Sequence, residues 1–139
     1  LLGPWVGSLV LALVLIVQCF IFQDGGVSVL GANIFNMSVL GVGSGYLAFK
    51  TLTAVNASKT MFLAAVAIAS WISVMVASAG CAVQLGLSGT YPMDVTLKMM
   101  LFVHAFIGVG EAIITTAVVA SVLSTRQDLV LSYKQELAS

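Results

Sequence analysis

A chain of 139 residues that is 60% hydrophobic and only 7% charged lies far from the roughly 25% charged composition of an average soluble domain. Five basic residues balance five acidic ones, which leaves no electrostatic footprint for nucleic acid and no polybasic patch for anionic lipid. Composition therefore excludes a soluble globular fold and points to an all-α, polytopic membrane protein embedded in the lipid bilayer.

The sequence opens Leu-Leu-Gly-Pro-Trp, with no initiating Met, basic leading region or small-residue cleavage site. It reads as a chain already in progress rather than a signal peptide. No charge precedes Asp24, none falls within 25–49 or 60–93, and Glu111 stands alone between Lys98 and Arg126. Each interval can span a bilayer core of about 30 Å at about 1.5 Å per helical residue. About four transmembrane helices are expected, over 5–22, 32–52, 59–85 and 94–123, within a single transmembrane domain covering 1–139.

After the first helix come Gln23, Asp24, Gly25 and Gly26, then Gly31, Ala32 and Asn33. Paired glycines permit turns forbidden to other residues. The length of this segment suggests a re-entrant loop lining a cavity, which membranes tolerate only where the backbone is sheltered; the plainer alternative is a turn. Helix two carries Gly41 and Gly45 as GxxxG, and helix three carries Ala65, Ala69, Ser73, Ala77 and Cys81 at successive i+4 positions. Small residues at that spacing let backbones approach, so both faces are packing seams, internal or for a partner subunit. Cys81 and Cys19 of helix one lie in apolar runs without a CxxC or a His partner and read as structural.

Met93 beside Asp94 is the best placed of six methionines for a soft metal contact, though Met more often fills gaps. In helix four His104 and Glu111 stand seven apart and share a face that Gly108, Ala112, Thr116 and Ala120 extend from His104. Ionisable groups at membrane depth face an interior or a watery cavity. Lys50 and Lys59 flank the second connection and Arg126 and Lys134 follow the last helix, whereas Asp24 and Asp94 mark the other connections. The positive-inside rule then puts both chain ends in the cytoplasm, with Lys98 snorkelling outward. The tail 124–139 mixes charges with Leu and Tyr, as an interfacial or solvated helix end would. One His and no GxSxG, Walker or HExxH sequence argue against an enzyme, so any ATP hydrolysis belongs to another chain.

Four stretches carry a resemblance: Leu-Leu-Gly-Pro-Trp at 1–5, Phe-Gln-Asp-Gly-Gly at 22–26, Leu-Gly-Ala-Asn-Ile-Phe-Asn-Met at 30–37 and His-Ala-Phe-Ile-Gly-Val-Gly-Glu-Ala at 104–112. In this order and spacing they resemble the CbiM/NikM family, the substrate-specific membrane subunits of energy-coupling factor (ECF) transporters for cobalt and nickel. The resemblance implies a C-terminal portion of a six- to seven-helix bundle in a bacterial or archaeal plasma membrane, capturing Co2+ or Ni2+ as transported cargo. It implies an ECF transmembrane coupling subunit, ATP-binding ECF ATPase subunits and a small accessory membrane subunit as partners.

Family members hold the metal largely through a Met-His N-terminus and a further His upstream of Leu-Leu-Gly-Pro-Trp, and neither is among these residues. Metal ligands are therefore not assigned within the chain. Gln23, Asp24, Asn33, His104 and Glu111 are implied to line the cavity or orient the ligating loop. Two other readings stand beside this one. In an ion- or proton-coupled carrier, His104 and Glu111 would form a relay; in a purely structural membrane scaffold, recognition would lie elsewhere.

Overall fold

The computed structural model describes residues 2–54 and 58–130. Four helices are long and apolar enough to cross a membrane: α1 (Pro4–Ile21), α2 (Val27–Thr53), α3 (Lys59–Leu87) and α4 (Met93–Thr125). No strand occurs among the described residues, and the chain is an all-α polytopic membrane protein. Pro4 stands in the first turn of α1, where its missing N–H removes nothing. At the start of α3 the Ser58 hydroxyl accepts a hydrogen bond from the Met61 amide at 3.2 Å, satisfying a donor the helix itself leaves free.

The helices form a row in which α1 rests on α2, α2 on α3, and α3 most extensively on α4. Two turns, after α1 and after α3, lie at one end of the row; the α2–α3 connection lies at the other. Asp24 and Asp94 thus mark one end and Lys50, Lys59 and Arg126 the opposite one. The tail beyond Val130, with Lys134, lies outside the described residues.

The α2–α3 contact is built on bare backbone. A Cβ added at Gly41 would stand 3.2 Å from the Ser73 hydroxyl, and one at Gly45 would stand 3.2 Å from the Ala69 carbonyl oxygen. Ala65 and Ala69 are buried at the same seam. In lipid this closeness matters more than apolar area, because lipid tails are as apolar as Leu.

α2 changes its winding along its length. A tight turn at Val27–Val29 leads into Leu30–Asn33, then into wide π-helical turns over Ile34–Gly41, then into regular helix over Val42–Thr53. The Val42 amide accordingly donates to the Met37 carbonyl five residues back. Asn36, Ser38 and Gly41 are buried within this stretch, Asn36 toward α3 and Ser38 toward α1. Asn36 Nδ2 donates to Gln84 Oε1 of α3 at 2.7 Å. Ser38 and Ser8 of α1 each donate a hydroxyl to the other's backbone carbonyl. α2 is thereby tied to both neighbours by polar bonds that lipid cannot supply.

Two glycines of α3 separate flexible from rigid neighbours. A Cβ at Gly80 would stand 2.7 Å from Asn36 Oδ1 and 2.9 Å from Leu40 Cδ1, whereas one at Gly86 would meet chiefly the Met93 thioether. Gly80→Ala is expected to cost about 1–3 kcal/mol by overpacking a side chain that is already bonded. Gly86→Ala is expected to cost less than about 1 kcal/mol because the Met93 chain can swing away. Reversible unfolding in mixed detergent micelles, comparing the two midpoints, checks the order.

At the basic end Phe62, Val119, Leu123 and Val130 form a small buried cluster with Phe49 against it. The Phe49 and Phe62 rings meet edge to face at 5.2 Å, a favourable aromatic geometry. A short turn at Gln127–Leu129 returns the chain so that Val130 is fully buried.

Candidate functional site

Of the two readings of the segment after α1, a re-entrant loop and a turn, the structure shows the compact turn. α2 begins at Val27, five residues before the expected start, because the residues after Gly26 take helical geometry at once. The turn is anchored on α1. The amides of Phe22 and Asp24 both donate to the Gln18 carbonyl, at 3.0 and 3.2 Å, and Gln23 between them has φ 55. The helix thus ends on a wide turn closed around a left-handed residue, a position that normally uses Gly.

Gln23 is the one non-glycine with positive φ among the described residues. Left-handed backbone costs an ordinary side chain about 1–2 kcal/mol. Gln23→Gly is expected to raise stability by about 0.5–1 kcal/mol after the entropy of the unfolded glycine is counted. Thermal unfolding in detergent measures the gain, and metal retention by the same variant shows whether the Gln23 side chain has a use that offsets its strain.

Gly25 and Gly26 follow with φ 82 and 70. A Cβ at Gly25 would stand 2.5 Å from Asn33 Nδ2, so the half-buried Asn33 side chain lies directly over the bare Gly25 backbone. Gln23 and Asp24 are exposed beside it, and the single ion pair among the described residues, Arg126 with Asp128, leaves the Asp24 carboxylate free for other partners. One helical turn deeper stands the Asn36–Gln84 pair, in which Asn36 Oδ1 is buried without a partner. Across the same end, Met93 packs over Gly86 with Asp94 exposed beside it. A strained turn, four carboxamides and two carboxylates therefore gather at one end of the row.

His104 and Glu111 are placed differently from one another. The His104 ring is half-buried, and its Nδ1 lies 2.8 Å from the Met100 carbonyl of its own helix. A carbonyl only accepts, so Nδ1 is the donor in this contact. Glu111 lies about 10 Å further along α4 at helical rise. There it lines a cleft of about 380 Å³ with Gly45, Tyr46, Phe62, Ser70 and Thr115, and makes no hydrogen bond or ion pair with them.

The remaining members of the expected α4 face divide. Gly108 is buried under Trp71 of α3, and a Cβ there would stand 2.9 Å from the ring. Trp71 Nε1 donates to the Ala105 carbonyl at 3.1 Å. Ala112 and Thr116 line a shallow hollow with Trp71 on the other flank, and the Thr116 hydroxyl is buried without a partner. Among the described residues no three His, Cys, Asp or Glu side chains gather as a metal centre would require.

Asn36, Gln84 and Trp71 escaped the sequence reading. The signal for Asn36 and Gln84 was an amide within an otherwise apolar run, and for Trp71 its lone N–H at membrane depth. The π-helical winding around Asn36 has no comparable mark in the residues.

Comparison with known proteins supplies the family. A model described as the cobalt uptake substrate-specific transmembrane region matches residues 1–129. A NikMN protein of Archaeoglobus fulgidus is 38% identical over 94% of this chain and 43% of its own length. The fused nickel transport protein NikMN of Rhodobacter capsulatus is 32% identical over 86% of this chain and 39% of its own. A crystal structure of a transition metal transporter superposes with a TM-score of 0.82 at 29% identity, over 94% of this chain and 62% of that one. The chain thus spans about two fifths of the length of these two relatives and about three fifths of the crystallised transporter. With 129 of its residues matched by the family model, the chain belongs to the CbiM family of substrate-specific transmembrane regions.

Proposed function

We propose that this four-helix row is the supporting part of a membrane subunit that captures a divalent transition metal, cobalt or nickel, for import. The observation that carries the reading is the family match over residues 1–129, joined to relatives named for nickel transport. The turn at Gln23–Gly26, held by Asn33 and backed by the Asn36–Gln84 pair, is the feature best suited to order a metal-binding loop, because outer partners fix the orientation of ligands. In this reading Glu111 lines the cleft, His104 bonds within its own helix, and neither is a ligand. No metal ligand is assigned to residues of this chain in this reading, and nitrogen-rich donor sets suit both ions.

Import is driven by ATP on separate subunits, through an ECF-type transmembrane coupling subunit, with a small accessory membrane subunit in a cobalt-type system. The end carrying Lys50, Lys59 and Arg126 faces the cytoplasm and the end carrying Asp24 and Asp94 faces outward. Calorimetric titration of nickel and cobalt into the detergent-solubilised protein expressed from its complete reading frame tests the reading. Wild type is expected to bind one of the ions, and Asp24→Ala and Asn33→Ala to bind it more weakly by about tenfold, the lower end of the range for outer partners of metal ligands. Unchanged affinity in both variants, with wild-type binding intact, would assign these residues to scaffolding alone.

A further inference from the structure

The two halves of α2 are held differently. Toward its C-terminal end, Gly41 and Gly45 lie so near α3 that a Cβ at either would stand 3.2 Å from an atom of that helix. Toward the turn, no residue of Val27–Asn33 is buried, so packing does little to fix how that arm is rotated about its axis. Between them run the π-helical turns of Ile34–Gly41. Such turns close five residues back rather than four, so the stretch holds one residue more than α-helix needs over the same path. Two polar pins decide which residues it presents, Asn36 on Gln84 of α3 and Ser38 on Ser8 of α1. The Asn36 pin is incomplete. Asn36 is only 3% exposed, yet its Oδ1 has no hydrogen-bond partner and faces bare Gly80, where a Cβ would stand 2.7 Å from it. A buried acceptor without a donor costs free energy, which narrows the gap between this winding and regular α-helix.

We propose that α2 has two registers and that the Asn36–Gln84 pair is the latch between them. When Ile34–Gly41 rewinds as α-helix, the surplus residue passes toward the turn. Each Cα of Val27–Asn33 then takes its neighbour's place, about 3.8 Å away, and each side chain swings by about 100° around the axis. Asn33 leaves Gly25, over which it lies in the latched register. Gly25 and Gly26, both at positive φ, absorb the change as hinge residues do. The latch thereby sets whether Asn33 closes the turn beside Asp24. The registers belong to α2 itself; they stand apart from the metal reading, and their test uses no metal.

The test is the distance between spin labels at Val29 of α2 and Val95 of α4, both exposed, measured by double electron-electron resonance in nanodiscs. The protein is expressed from its complete reading frame in an otherwise cysteine-free background. Wild type is expected to show one main distance and a minor one. Asn36→Leu and Gln84→Met are each expected to raise the minor population about threefold, the worth of one interhelical hydrogen bond in lipid. Gln84→Met leaves α2 untouched, so agreement between the two variants separates a released latch from a damaged helix. Deleting Val39, which stands exposed within the π-helical stretch, removes the surplus residue. The deletion is expected to abolish the minor distance in wild type and in both variants. A single unchanged distance in both latch variants, a broad distribution without a second peak, or a second distance that survives the deletion would overturn the proposal.

Discussion

Gly108→Val is expected to be the most destabilising single change in the helix contacts, at about 2–4 kcal/mol. A first added carbon already falls 2.9 Å from the Trp71 ring, and valine adds two methyl groups beyond it. Trp71 cannot retreat freely, because its Nε1–H is bonded to the Ala105 carbonyl at 3.1 Å and the ring fills the α3–α4 seam. Overpacking costs about 1–3 kcal/mol, and a lost bond from a buried donor adds about 1 kcal/mol. The measurement is reversible unfolding in mixed micelles followed by Trp71 fluorescence in a Trp5→Phe background, Trp5 being 87% exposed. A red-shifted folded-state emission would report the displaced ring directly. An unchanged midpoint and spectrum would show that α3 and α4 adjust their spacing instead.

Gly25→Val is expected to have the largest effect on the turn. Position 25 has φ 82, where a β-branched residue is strongly disfavoured, and the new Cβ would stand 2.5 Å from Asn33 Nδ2. Backbone strain of about 1–3 kcal/mol adds to the displacement of Asn33, so the turn opens rather than adapts. Global stability is expected to fall by only about 1–2 kcal/mol, since the turn lies at an end of the row and terminal segments open locally. Metal retention by the complete protein is expected to fall at least about tenfold, as loss of outer partners of ligands does. Parallel thermal unfolding and metal titration of the same preparation separate the two effects. Loss of stability without loss of metal would confine the turn to a structural role.

Much of this fold was legible in the residues because the bilayer imposes a simple rule. Most charges mark helix ends: Asp24, Lys59, Asp94 and Arg126 stand at or just beyond them, Lys50 lies within the last turn of α2, and Lys98 and Glu111 fall inside α4. The Gly41, Gly45, Ala69 and Ser73 seam was legible for a similar reason, since small residues at i+4 have few other uses in lipid. The start of α2 was not, because Gly25 and Gly26 signal a turn equally well whether a loop or a helix follows. Asn36 and Ser38 escaped a search for a single buried face because they lie two residues apart and bond different neighbours, α3 and α1.

The candidate site divided along the same line. A periodicity argument put His104, Gly108 and Glu111 on one face of α4 and was right about the helix, but a face about 10 Å long meets several neighbours. Gly108 meets Trp71, Glu111 meets the cleft, and His104 turns to its own Met100 carbonyl. That separation weighs against a direct His104–Glu111 proton relay, which needs the two groups within hydrogen-bond reach.

Uptake of radioactive nickel and cobalt by cells lacking their own importers, and expressing the complete protein with its neighbouring transporter genes, tests the central claim most directly. ATP-dependent accumulation of one ion that survives collapse of the proton gradient is the predicted result. Accumulation of neither ion, or accumulation that follows the proton gradient and ignores ATP, would contradict it.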